Sequence, residues 1–255
     1  MATHSIPIPR QAWSVLIVST IAFTVCFMVW MMFGVIGIPL KKTLGLNATE
    51  FGLLTATPVL TGSLIRVPLG IWTDKYGGRI VMTLLMASTV PAIFLMSYAT
   101  AYWHFLVLGL FVGVAGGSFS VGTPYVARWY PRKQQGFAMG IYGAGNSGAA
   151  VNKFVAPELL VAFGWTLVPQ VYAAIMLGTA LLFWFFSYSD PHHLVDSKIT
   201  WRQQLKALKD PKVWKYCQYY SIVFGGYVAL SLWMVQYYVG EYGMDIRAAA
   251  LLAAC

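Results

Sequence analysis

The chain has 255 residues, of which 58% are hydrophobic and only 10% charged, with a mean hydropathy of +0.66. Soluble domains carry about 25% charged residues, so too little polar surface is present to clothe an aqueous core, which excludes an ordinary soluble protein. The formal net charge of +9 invites a nucleic-acid reading, but the positions of the cations, taken up below, exclude that as well.

Apolar runs near twenty residues recur along the chain, the length needed to cross ~30 Å of hydrocarbon. They lie at 14–39, 51–72, 80–98, 103–128, 136–160, 166–188 and 213–239, and an eighth begins near Ala248 and is cut off at Cys255. The spacing predicts an all-α, polytopic membrane protein. The residues before the first run are polar and few, and that run is too long for a signal-peptide core, so it reads as a retained span. Cys26, Cys217 and Cys255 lie in or beside apolar runs without ligand spacing. They read as small hydrophobes and point to neither a disulfide framework nor a metal.

Span two contains Arg66, a permanent cation among Leu64, Ile65, Val67, Pro68 and Leu69. It precedes Asp74, at the helix end, by eight residues, which is about 12 Å of helix. That exceeds a comfortable snorkelling reach, so a water-filled path is the expected environment. Thr55, Gly62, Gly70 and Thr73 share its face and suit a cavity lining. After it, Gly70, Asp74, Lys75, Gly77, Gly78 and Arg79 spell G-x-x-x-D-K-x-G-G-R across the turn to span three. Paired glycines permit a tight turn with positive φ, and Asp74 can accept from Arg79 or from Arg128 at the end of span four.

Small residues recur every four positions at Gly109, Gly113 and Gly117 in span four and at Gly136, Gly140, Ala144 and Gly148 in span five. Rows of this kind let helices approach backbone to backbone. Span five also carries Asn146, whose amide can pair across helices or donate to an anion. Lys153 follows seven residues later, on nearly the same face and about 10 Å further out. A second intramembrane cation is tolerable in a water-filled path, which makes Lys153 a candidate position on an anion path. His104, at the outer start of span four, reads as an interfacial residue.

The longest polar segment follows span six. Thr200 can cap a helix with Trp201, Leu205 and Leu208 opposite Arg202, Lys206 and Lys209, lying along the membrane surface. His192 and His193 beside Asp190 read as a solvated loop. The expected division is a six-helix bundle over 1–189, an amphipathic linker over 190–212, and the start of a second bundle over 213–255. The chain then reads as a fragment. Loops assigned to alternate sides carry twelve Lys and Arg on the N-terminal side against Lys41, Lys42 and Arg247 on the other, with Arg66 and Lys153 inside spans completing the seventeen. The positive-inside rule places the N-terminus and the linker in the cytoplasm.

The turn motif, at its place between spans two and three, resembles the signature loop of the major facilitator superfamily. LTGSLIRVPLG, AGGSFSVGTPYVARWYP and GIYGAGNSGAA together resemble its nitrate/nitrite porter (NarK-like) branch, over spans one to seven. The resemblance implies the N-terminal six-helix bundle of that fold plus helix seven and the start of helix eight, with the C-terminal part missing. It implies a substrate site of Arg66, Asn146 and the rings of Phe27, Phe119 and Tyr227, and a gating loop of Gly70, Asp74, Lys75, Gly77, Gly78, Arg79 and Arg128. It further implies nitrate and nitrite as partners in a lipid bilayer, a monomeric full-length protein of the cell (inner) membrane, no cofactor and no nucleic acid.

Secondary transport of nitrate or nitrite by alternating access is therefore expected, either as exchange or with protons. Glu158 is the one acid within the spans and lies near the outer edge, which leans toward exchange. A porter for another small anion or organic acid is the alternative. A membrane enzyme or sensor fits less, since no paired carboxylates or nucleophile–base arrangement is legible.

Overall fold

The computed structural model describes residues 9–189 and 205–254, which form helices joined by short turns. The helices follow the predicted runs, extended at most ends. Span one is Arg10–Trp30 continued by Phe33–Leu44, span two Ala48–Leu64 continued by Arg66–Tyr76, and span three Gly78–Met96. Span four joins Tyr102–Gly113 to Ser118–Arg128 through a tight turn at Val114–Gly117. Span five joins Arg132–Gly143 to Gly148–Phe163 through another at Ala144–Ser147. Span six is Leu167–Phe186, span seven Pro211–Tyr242, and Ile246–Ala254 follows. The linker residues Asp190, His192, His193, Thr200, Trp201 and Arg202, together with Cys255, lie outside the described residues. Among those described, the linker contributes one tight turn at Leu205–Lys209.

Six of these helices are long and apolar enough to cross a membrane: 10–44, 48–76, 78–96, 102–128, 167–186 and 211–242. Span five is not among them because Asn146, Asn152, Lys153 and its glycines dilute its apolar content. Asn152 and Lys153 find hydrogen-bond partners on neighbouring helices instead. Large apolar side chains such as Leu64, Leu84, Phe163 and Phe185 point outward, as expected of a chain clothed by lipid.

The interrupted helices have identifiable causes. Pro68 lacks an N–H, so the Leu64 carbonyl loses its i+4 donor and span two loosens at Ile65. In span one the break at Met31–Met32 is tightened by i−3 bonds, Met32 to the Val29 carbonyl at 3.1 Å and Gly34 to the Met31 carbonyl at 3.0 Å. The Met31 carbonyl also accepts from the Asn152 amide at 2.9 Å. Mid-helix turns of this tight type mark places where a helix is shaped for a purpose.

Span one is the centre of the bundle, with Phe23, Phe27, Trp30 and Met31 all buried. Span four lies on span two where Gly113 meets Pro58 and Thr61 and Gly117 meets Ile65 and Leu69; a Cβ at either position would overlap them. Span five lies on span one where Gly145 meets Phe23 and Gly148 meets the Thr24 and Met28 backbone. The glycine rows are thus only partly what spacing predicted. Gly136 and Gly140 have no neighbour within 4 Å, because the row winds off the packed face before span five reaches its tight turn.

Candidate functional site

Arg66 opens the second half of span two, directly after the loosened turn at Ile65. Its guanidinium carbon lies 5.1 Å from the centre of the Phe224 ring and 5.9 Å from that of Trp30. Both fall within the range of cation–π attraction. Nε is buried without a hydrogen-bond partner. Among the described residues the ion pairs are Arg128 with Asp74 and Arg247 with Glu158, so no carboxylate neutralises Arg66. The guanidinium lies against the Trp30 and Phe224 rings and keeps its hydrogen-bonding capacity.

The predicted face of Arg66 differs from expectation. Thr55, Gly62 and Thr73 are buried against protein. The Thr55 hydroxyl donates to the Phe51 and Gly52 carbonyls, and Thr73 donates to Leu69. Gly62 is small for a different reason: with Gly116 it makes a slot for the Trp30 indole. That indole is locked by its N–H, which donates to the Pro58 carbonyl at 2.9 Å. Gly70 alone on this face has open space around it.

The three predicted rings join the same cluster. Phe27 packs edge-on to Trp30 at 5.3 Å and stacks on Tyr227 at 6.3 Å. Phe119 reaches the cluster through Tyr220 at 6.4 Å, which stacks on Phe224 at 5.1 Å. The Tyr227 hydroxyl donates to the Asn146 carbonyl at 3.0 Å. Asn146 sits in the tight turn of span five and gives one amide hydrogen to Gly143 at 2.8 Å, while its Oδ1 is buried and unpartnered. The unmet needs are opposite in kind. Arg66 lacks an acceptor, which an anion supplies; Asn146 Oδ1 lacks a donor, and only the second amide hydrogen can serve an anion.

Sequence reading passed over Trp30, Tyr220 and Phe224. Tyr220, Phe224 and Tyr227 stand at i, i+4 and i+7, one face of span seven, so that stripe was available. Nothing in the sequence distinguishes Trp30 from other membrane aromatics.

The turn after span two is built as its glycines suggest. Gly77 has φ +85°, a region costly for other residues, and a Cβ on Gly78 would enter the Tyr125 ring. Of the two cations offered for Asp74, Arg128 forms the ion pair and also reaches the Thr73 carbonyl at 3.4 Å. Arg79 does not pair with Asp74: it donates to the Trp184 carbonyl at 2.8 Å and stacks 4.4 Å over that ring, tying span three to span six. Lys75 lies 5.2 Å over Tyr76.

Lys153 is buried, and its amine donates to the Ala253 carbonyl at 2.6 Å. It lines a cavity of about 260 Å³ with Tyr227, Ser231 and Met234. A larger cavity of about 620 Å³ lies between spans two and three, among Leu69, Trp72, Ile80 and Leu84. It is apolar, opens outward and lacks Arg66.

The sequence profile of the Major Facilitator Superfamily matches residues 18–255. A probable nitrate/nitrite antiporter, NarK1, of Thermus thermophilus is 40% identical across 94% of this chain, and a nitrite extrusion protein of Bacillus subtilis (strain 168) is 32% identical across 89%. The chain spans 57% of the length of each. In fold it resembles an inward-facing, occupied bacterial homolog of the human lysosomal transporter Spinster, with a TM-score of 0.74 and 21% identity over 96% of this chain and 59% of that one.

Proposed function

We propose, for a chain that belongs to the Major Facilitator Superfamily, that it serves as a secondary transporter of nitrate and nitrite by alternating access, not as an enzyme. The observation that carries this is Arg66, a guanidinium against the Trp30 and Phe224 rings, with Nε unpartnered and no ion pair among the described residues. Nitrate is planar, monovalent and weakly hydrated. A guanidinium is planar, always charged, and offers paired donors that match two oxygens of such an anion. Rings at Phe27, Trp30, Phe119, Phe224 and Tyr227 supply walls against which a weakly hydrated ion gives up little solvation. Asn146 offers one further amide hydrogen. The names of the similar proteins support the choice of anion.

The ion pair between Asp74 on span two and Arg128 at the end of span four acts as the gate, closing the two spans together on the side rich in cations. That side is the cytoplasm by the positive-inside rule, which orients the protein in the cell membrane with the N-terminus inside.

Exchange is the favoured mode. Glu158 on span five faces Arg247 at 3.0 Å in an exposed pair, and among the described residues no carboxylate pairs with Arg66. Proteoliposomes test both levels of the reading. Labelled nitrate should enter only when nitrate or nitrite is present inside. Uptake into anion-free liposomes driven by an inward proton gradient would contradict exchange, and absence of any nitrate flux would contradict the function.

A further inference from the structure

We infer that Lys153 forms a second anion site, distinct from the Arg66 pocket, which takes a small, weakly hydrated monovalent anion. The inference deepens the transport reading and rests on it only for the identity of the moving anion. Three observations converge on the site.

First, the ammonium is buried in the bundle with one hydrogen-bond partner, the Ala253 carbonyl at 2.6 Å. An ammonium carries three donors, so capacity remains. Second, no carboxylate among the described residues pairs with it. Glu158 lies five residues further along the same helix, yet its carboxylate is engaged by Arg247 at 3.0 Å. A carbonyl dipole offsets part of a buried charge but leaves the net charge in place, and such a charge is expensive unless an anion or water shares its enclosure. Third, the enclosure exists. The cavity of about 260 Å³ holds Lys153 on its wall with Tyr227 and Ser231, and the rest of its lining is Ala150, Leu230, Met234, Leu252, Ala253 and Ala254. One cation with spare donors and mostly apolar walls suit a singly charged, weakly hydrated ion better than phosphate or a dicarboxylate.

Tyr227 joins this cavity to the first pocket. It lines the Lys153 cavity, stacks on Phe27, and donates its hydroxyl to the Asn146 carbonyl at 3.0 Å. Lys153 and Arg66 are thus linked through two rings, Tyr227 at the cavity and Phe224, which lies 6.4 Å from Tyr227 and 5.1 Å from the guanidinium. An anion at Lys153 is held by a point charge, which binds without the geometric selectivity of a guanidinium.

Iodide provides the probe, because it is weakly hydrated, monovalent and visible by anomalous scattering in crystals of the purified protein. Wild type should show iodide at both cations, each displaced by excess nitrate. Lys153→Met should lose the Lys153 peak and keep the other, while Lys153→Arg should keep both. Should Lys153→Met not purify, Lys153→Gln removes the charge while retaining a donor for Ala253. No iodide in the cavity, iodide that survives loss of the charge, or iodide that nitrate does not displace would overturn the second site. Iodide at Arg66 alone would sink this inference and leave the pocket standing. Iodide at Lys153 alone would do the reverse.

Discussion

One buried amide ties three spans together. Asn152 on span five donates to the Met31 carbonyl at the break of span one and accepts from the Tyr172 hydroxyl of span six at 2.8 Å. In water-soluble cores an orphaned polar group costs about 1–3 kcal/mol, but interhelical bonds in membranes average only about 0.6 kcal/mol because alternative partners are found. Asn152→Ala is therefore expected to lower stability by roughly 1–2 kcal/mol, with Tyr172→Phe affected by about half as much. Thermal unfolding of the purified variants checks the order, and equal losses would contradict a shared amide. Asn152 was not legible in the sequence as a structural hub, since a lone amide in an apolar run carries no mark of its partners. Arg66 and Asp74 were legible because a charge inside or at the end of an apolar run demands a reason. The rings show the middle case: Phe27, Phe119 and Tyr227 came from family resemblance, whereas Trp30 needed the slot formed by Gly62 and Gly116, which only the fold assembles.

At the scale of elements, spans were predictable from apolar length, and their interruptions were not. Pro68 announces the loosening of span two, but the tight turns at Val114–Gly117 and Ala144–Ser147 depend on how spans four and five meet their neighbours. Glycines carry the same lesson. Gly78 abuts Tyr125 and Gly70 abuts nothing, though both belong to one motif. Gly78→Ala should destabilise the turn between spans two and three, while Gly70→Ala should be neutral or stabilising by up to about 1 kcal/mol, as expected for an unobstructed helical glycine. Melting temperatures that rank the two the other way would contradict the packing described. The Asp74–Arg128 pair joins the ends of spans two and four, so Asp74→Asn is expected to shift the balance of inward- and outward-open forms. Arg79→Lys should not, because Arg79 serves span six through Trp184. Spin-label distances between spans measure both, and unchanged populations in Asp74→Asn would refute the gate.

For the whole molecule, the asymmetry of basic residues sets an orientation that the fold alone does not. Lys206 and the turn at Lys75 should face the cytoplasm and Lys41 the outside. A cysteine at position 206 that an impermeant reagent reaches in intact cells would overturn this arrangement. Composition and span count made the bundle legible at this scale because lipid leaves few alternatives to packed helices. The convergence of spans one, two, four, five and seven on one cluster of rings was not legible, since it is a property of helix rotation within the bundle.

The central claim is that the Arg66 guanidinium binds the anion. Arg66→Lys keeps the charge, and with it the cost of insertion, but loses the planar fork. Equilibrium nitrate binding to the purified protein should weaken by about one to two decades, corresponding to a lost charge-assisted hydrogen bond of roughly 1.5–3 kcal/mol, while yield and melting temperature stay near wild type. A folded Arg66→Lys protein that binds nitrate within about twofold of wild type would contradict the claim.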